Sequence, residues 1–186
     1  MTAKVSLATG RLQLRPWRPA DVADVLAYAN DSEFARYLEK VPIPYSIQHA
    51  EEFVSACVSA DWRTDTRFAI SLEGQVVGGV DLWIDPRNAI AETGYAMARQ
   101  YWNSGYMTEA IGAVIAWAFQ SLDLSKVWAD CDIRNIGSWR VLEKVGMHRE
   151  GFLRSHRLGR GERFDVVQYG LLREDWRARA ATQKQV

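Results

Sequence analysis

The residues that could do chemistry gather first in RQYWNSGYMTEA, Arg99–Ala110. Asparagine, serine and glycine there lead into Met107, Ala110, Ile111, Val114, Ile115, Ala118 and Leu122, whose i, i+3, i+4, i+7 spacing predicts a core helix. First-turn N–H groups have no partner inside a helix, and the dipole favours negative charge at that end, so this junction could cradle an anion. The alternative is an ordinary strand-to-helix loop. A nucleotide-triphosphate loop is disfavoured, because the Gly-Lys-Ser/Thr ending is missing. His49, His148 and His156 are scattered, and no closely spaced Cys/His set exists, so no metal is expected. Cys131 sits in the strand-like run KVWADCDIRN with no base beside it, which favours packing over nucleophilic catalysis.

Other elements must position that turn. GRLQLRPW alternates Leu12 and Leu14 with polar neighbours as a half-buried strand does, and Pro16 and Pro19 end it and open a helix at PADVADVLAYAN. Ser46 can cap a second helix, SIQHAEEFVSACVSA, after the proline-bearing loop EKVPIPYS. RFAISLEGQVVGGVDLWID reads as a hairpin around Glu73-Gly74, and IAETGYAMA continues the meander into the cradle. Beyond the core helix, KVWADCDIRN predicts a strand with Val127, Ala129, Cys131 and Ile133 on one face. A short helix, IGSWRVLEKV, is stopped by Gly146. GMHREGFLRSHRL and ERFDVVQYGLL form a last hairpin around Gly159-Arg160-Gly161, and REDWRARAATQKQV a charged terminal helix.

With 186 residues, 48% hydrophobic and 25% charged, the chain suits one domain spanning 1–186, with 177–186 expected to fray. Lys plus Arg equals Asp plus Glu at 23 each, which gives no overall electrostatic case for nucleic acid or an anionic membrane. Two cysteines, no apolar leader and no long apolar run imply a soluble, cytoplasmic protein. Eight tryptophans allow exposed aromatic patches and admit a homodimer as readily as a pocket.

This order of elements resembles the Gcn5-related N-acetyltransferase (GNAT) superfamily over nearly the whole chain. AETGYAMARQYWNSGYMTEA, DIRNIGSWRVLEKVGM and EGFLRSHRLGRGERFDVVQYGLLREDW look more narrowly like the signature blocks of its Rim-type branch, which acetylates ribosomal-protein N-termini. The resemblance implies an α+β fold whose central sheet is mostly antiparallel, mixed and splayed, flanked by helices. It implies acetyl-CoA as co-substrate, with Met97, Ala98 and Arg99 at a bulged, open strand edge that pairs with pantetheine. The pyrophosphate loop, Gln/Arg-x-x-Gly-x-Gly/Ala, falls on Gln100, Asn103 and Gly105, so Trp102, Asn103, Ser104, Gly105, Tyr106 and Met107 carry over as the cradle, with Thr108 at its rim. Asn103 departs from the usual glycine, but asparagine tolerates positive φ best among the other residues.

Asn135 and Ser138 match the branch's N-x-x-S pair beside pantetheine and thiol; both also suit capping of the helix that begins there. The tyrosine acid that many relatives carry seven residues after this asparagine is here Leu142, which leaves Ser138, or no protein acid, to meet the leaving thiolate. Glu92 matches a common acidic position and is the candidate base, with a strand carboxylate paired to an arginine as the alternative. An α-amine of pKa near 8 is about a tenth neutral at pH 7, so a carboxylate acting through water could suffice. Arg157 stands where some Rim-type enzymes place a glutamate. That raises Arg154, His156 or Arg157 as a site for an anionic substrate group; His156 is also a candidate base, though a lone strand histidine is more often solvated, and Tyr169 reads mainly as architectural, with the substrate side as its alternative. The implied activity is acetyl transfer to a primary amine, an α-amine of a protein N-terminus or amino acid, by direct attack in a ternary complex. The rivals are a GNAT acting on a small-molecule amine or antibiotic, and a non-catalytic acyl-CoA-binding module.

Overall fold

A computed structural model describes residues 4–183. Eight strands form one sheet: β1 (Leu7–Ala8), β2 (Gln13–Pro16), β3 (Asp65–Leu72), β4 (Gln75–Asp85), β5 (Ile90–Met97), β6 (Lys126–Asp132), β7 (His148–Gly159) and β8 (Glu162–Leu172). They lie in the order β1-β2-β3-β4-β5-β6-β8-β7, and every neighbouring pair is antiparallel except β5 and β6. The helices are α1 (Val22–Ala29), α2 (Ser32–Ala35), α3 (Ile47–Ser59), α4 (Tyr106–Ser121), α5 (Ile136–Lys144) and α6 (Arg173–Gln183). This is the mixed, mostly antiparallel α+β sheet expected, with the short α2 as an unforeseen addition. The terminal helix is continuous to Gln183; residues 184–186 of the expected frayed tail lie outside the described residues.

Local chemistry accounts for the element ends. Glu73 and Gly74 at φ 51° and 90°, and Arg160 and Gly161 at 50° and 83°, make the two-residue turns whose left-handed geometry matches strand twist. Ser46 caps α3 by accepting the His49 N–H, and Asn135 caps α5 by accepting the Ser138 N–H. Gly146 at φ 96° ends the turn after α5.

Two cores lie on opposite faces of the sheet. On one, Ile111, Val114 and Ile115 of α4 and Leu142 of α5 pack against Leu14, Phe68, Val80, Leu82, Val127 and Leu171, all fully buried. Each such side chain contributes roughly 1.5–3 kcal/mol relative to exposure. On the other, α1 and α3 place Val25, Ala29, Ala50 and Val54 against Trp17, Ala69 and Val76. Strand alternation therefore sends Ala91 and Met97 of β5 to the α4 face and Ala96 to the α1/α3 face.

Gly78 sets the spacing of β4 and β5. A Cβ there would be driven into the Ala96 carbonyl and would stand 2.9 Å from Met97 Cα, both backbone atoms. Gly78→Ala should cost about 1–3 kcal/mol, the usual range for overpacking. Urea unfolding measures it, and a loss below about 0.5 kcal/mol, the range of neutral surface changes, would show that the two strands yield freely here.

Candidate active site

The site begins where β5 loses one neighbour. Its parallel ladder with β6 lasts three pairs and ends at Glu92↔Trp128, while its ladder with β4 continues unbroken to Met97. From Thr93 to Met97 one edge of β5 is open. The expected bulge in this strand is absent: the irregularity lies across the sheet in β4, where Val77 is the extra residue between pairs Ile70↔Gly78 and Ser71↔Val76. The opening comes instead from the short parallel ladder. Ala98 donates its N–H to Val77 O at 2.8 Å, so antiparallel alternation turns the N–H and C=O of Met97 and Tyr95 toward the open side. Of the three backbone positions expected there, Met97 faces the opening. Ala98 is committed to Val77, and Arg99 has left the strand for a 3₁₀ turn, its guanidinium 3.9 Å from Asp31.

Asn103 at φ 59° and Gly105 at 78° carry the chain into α4. Asparagine does adopt the left-handed conformation that this turn needs. Gly105 is the N-cap, and no side chain caps the helix, so the first-turn N–H groups of Tyr106, Met107 and Thr108 have no side-chain acceptor. The turn is braced from outside. Arg11 donates from Nε to Glu109 Oε2 (2.7 Å) and from a terminal nitrogen to Ser104 O (3.0 Å), and its guanidinium lies 4.2 Å from the Tyr106 ring centre. This brace occupies the Ser104 carbonyl and the Tyr106 ring, and neither residue lines the cleft, unlike Trp102, Asn103, Gly105, Met107 and Thr108.

That cleft, about 570 Å³, runs from the cradle along the open edge of β5 to α5. Asn135 and Ser138 line it, and Asn135 is at the same time the helix cap. The Ser138 hydroxyl lies 2.8 Å from the Tyr95 hydroxyl, which is also 3.0 Å from Ser138 O. Burial pushes the Tyr95 pKa up, so it is a neutral phenol at physiological pH. Sequence reasoning overlooked Tyr95; its place two residues before Met97, on the α5 face of a strand about to open, was the available signal. Leu142, at the usual acid position, is fully buried in the core. Cys131 shares this region, with burial pushing its thiol up to about 11, which favours the protonated thiol. Trp102 donates its indole N–H to Met97 O at 2.6 Å and so covers the acceptor on the open edge.

The opposite face holds the charged groups. Glu92 is half-buried on the side of Ala96, about 13 Å along the strand by extended rise. Burial and then Asp130 push its pKa up, against the pull of Arg157 and Lys40. Arg157 contacts Asp130 at 2.7 Å and Glu92 at 3.7 Å. Two carboxylates thus surround the guanidinium of Arg157, one of the three positions expected to receive an anionic substrate group, and these three side chains together are net negative. The register break between Leu153 and Arg157, with Ser155 at φ 47°, bulges Arg154–His156 outward and aims Arg157 at Asp130. His156 stays exposed in that bulge, away from the cleft. Tyr169 is buried and donates to Glu143 Oε1 at 3.1 Å, which ties β8 to α5 and puts it in the core, not on a substrate surface.

An open strand edge that runs into an uncapped helix start, within this sheet order, is the architecture of an N-acetyltransferase. Residues 11–148 match the acetyltransferase (GNAT) domain family, and the chain belongs to that family. The uncharacterized N-acetyltransferase p20 of Bacillus licheniformis is 30% identical over 178 residues, covering 92% of this chain and 98% of that protein. The crystal structure of a GNAT-family acetyltransferase from Bacillus anthracis superimposes with a TM-score of 0.83 at 27% identity, over 91% of this chain and 99% of that one. RimL, a ribosomal L7/L12 alpha-N-protein acetyltransferase in complex with coenzyme A, shares the fold with a TM-score of 0.85 at 18% identity, over 92% and 99%. Among the described residues no group of three His, Cys, Asp or Glu could hold a metal, and no helix is long and apolar enough to cross a membrane.

Position 103 tests the turn. Asn103→Val should destabilise by about 1–2 kcal/mol, the cost of left-handed backbone for a residue that avoids it, whereas Asn103→Gly should not. Urea unfolding of both variants decides it, and equal stability would contradict the positive φ.

Proposed function

We propose that the protein transfers the acetyl group of acetyl-CoA to a primary amine, an α-amine of a protein N-terminus or an amino acid, by direct attack in a ternary complex. The observation that carries this reading is the open edge of β5 at Met97 leading straight into the uncapped start of α4. The cradle N–H groups suit a pyrophosphate, and the edge suits the two amides of pantetheine, which add as a short strand once the Trp102 indole leaves Met97 O. The amine lone pair attacks the thioester carbonyl; the C–N bond forms as the C–S bond breaks. The Met97 N–H, turned to the open side, stabilises the developing oxyanion. The leaving thiolate takes a proton from solvent water, relayed through the Ser138 hydroxyl, which the Tyr95 hydroxyl orients. The nitrogen gives up its proton through water to Glu92.

The net-negative Glu92–Asp130–Arg157 cluster supports an acceptor that arrives as an ammonium ion. A second reading, a small free amine, is favoured by the closure of the acceptor side. Arg160 at the β7–β8 turn donates to Ala35 O (3.0 Å) and Val41 O (2.8 Å), leaving a neighbouring pocket of about 280 Å³. The free Cys57 and Cys131 are consistent with a reducing cytoplasm.

Acetyl-CoA should raise the melting temperature, and thiol release across α-amine peptides, lysine peptides, amino acids and polyamines should be fastest with α-amines. Binding without turnover on any acceptor would leave only a binding module. Glu92→Gln should lower kcat/KM by about 10²-fold, within the usual range for a lost general base. It should also remove the acid limb of the pH profile. That limb should lie on the high side of an ordinary glutamate's, because the Glu92 pKa is raised by burial and the base is lost by protonation as pH falls through it. Tyr95→Phe should reduce kcat about tenfold with little change in KM for acetyl-CoA, since its hydroxyl acts on Ser138 and not on the cofactor's phosphates.

A further inference from the structure

On the Glu92 face of the sheet stands a large side chain that neither core uses. Trp83 of β4 packs in neither buried cluster and keeps 40% of its surface exposed. An aromatic side chain stabilises a fold by covering about 150–250 Å² of its surface, so stability alone accounts poorly for so open an indole. Register fixes where it sits. Trp83 is directly opposite Glu92 of β5, and Trp128 of β6 is opposite Glu92 on the other side. Residues opposed in this way share a face, so the Glu92 carboxylate stands between two tryptophans. The Trp83 ring leans diagonally onto β5: a Cβ at Gly94 would lie 2.7 Å from its Cη2 and 2.8 Å from its Cζ3. Alternation puts Glu92, Gly94 and Ala96 on one face, so the indole lies over the strand between the carboxylate and the end where the edge opens. The charged groups around it are paired, Asp65 opposite it with Arg67 at 2.8 Å, and Asp130 with Arg157 at 2.7 Å. A flat apolar surface is left open among closed ion pairs.

Distance along the strand identifies what the surface meets. In the proposed function the acceptor nitrogen reaches the thioester beside Met97 from the Ala96 side, and Gly94 lies two residues, about 7 Å, back from Ala96. That is the reach of the side chain on the carbon that bears an α-amine. A side chain lying on the indole would cover apolar area on both partners, whereas a small or polar one would leave the ring wet. We propose that Trp83 is the acceptor-selecting residue: its indole receives the side chain next to the reactive α-amine, so the enzyme prefers acceptors with a large apolar or aromatic first side chain. This selectivity rests on the acetyl-transfer reading above and deepens it.

The test is kcat/KM at saturating acetyl-CoA for the amides of glycine, alanine, glutamine, leucine and phenylalanine, and for tripeptides that begin with them, using wild type, Trp83→Phe and Trp83→Ala. Melting curves check that each variant folds, and isothermal titration with acetyl-CoA reports on the donor side separately. The wild type should favour leucine and phenylalanine over alanine and glutamine by about tenfold or more, the scale of discrimination a single apolar contact supplies. Glutamine, as long as leucine but polar, separates apolar contact from mere length. Trp83→Ala should bring that ratio to within about twofold, with the loss in KM for the large acceptors, and Trp83→Phe should keep most of it. Three results would overturn the selectivity: a wild type that treats all five side chains alike, a Trp83→Ala variant that keeps the preference, or one that slows every acceptor by the same factor, which would make Trp83 a support of the strand. If the preference is kept while the mass by size exclusion changes, the indole belongs to a contact between two copies of the chain. A wild type that turns over none of these amines, or does not bind acetyl-CoA, would instead remove the acetyl-transfer reading, and the selectivity with it.

Discussion

The structure depends on a ladder that stops early. Strands β5 and β6 pair over three residues and then part, leaving Thr93–Met97 bound to β4 alone and the end of β6 bound to β8 alone. Backbone N–H and C=O groups on such an edge need partners. Among the described residues they receive one, the Trp102 indole on Met97 O, and the open edge at Tyr95–Met97 lines the cleft. In the proposed function, an acyl-CoA would supply the missing strand segment of this sheet.

Holding the opening in place takes both faces of the sheet. On the α4 side, the buried stripe of α4 fixes the helix start beside the strand end, and the Arg11–Glu109 brace holds the turn from outside. The Tyr95–Ser138 contact ties α5 to the strand that opens. On the other side, the bulge in β7 swings Arg157 under Asp130 and Glu92. One face then offers neutral hydroxyl groups and helix N–H groups, the other a negative cluster. That asymmetry suits a reaction in which a negatively charged donor and a positively charged acceptor approach from opposite sides of one strand.

Much of this was legible along the chain. The turn pairs Glu73-Gly74 and Arg160-Gly161, the caps at Ser46 and Asn135, and the helical stripe from Met107 to Ala118 are local signals, because each rests on contacts a few residues apart. Asn103 could be expected at positive φ for the same reason. Arg157 could not be judged in this way. Its role turns on Asp130 and Glu92, 27 and 65 residues earlier in sequence, and on a bulge that no short pattern announces. Tyr169 and His156 each left two readings open for a related reason: alternation along a strand names two faces but does not say which is core, and only the register shows Tyr169 buried and His156 exposed in a bulge.

The sequence by itself determined the kind of element at each position, the cradle turn and the family resemblance, because backbone preference, capping and periodicity are short-range. Only the tertiary structure decided which strand edge is open, that Tyr95 meets Ser138, and that Arg157 is already neutralised. Those outcomes depend on which residues far apart in the chain come within a few ångströms, and hydrogen bonds and ion pairs act only over such distances.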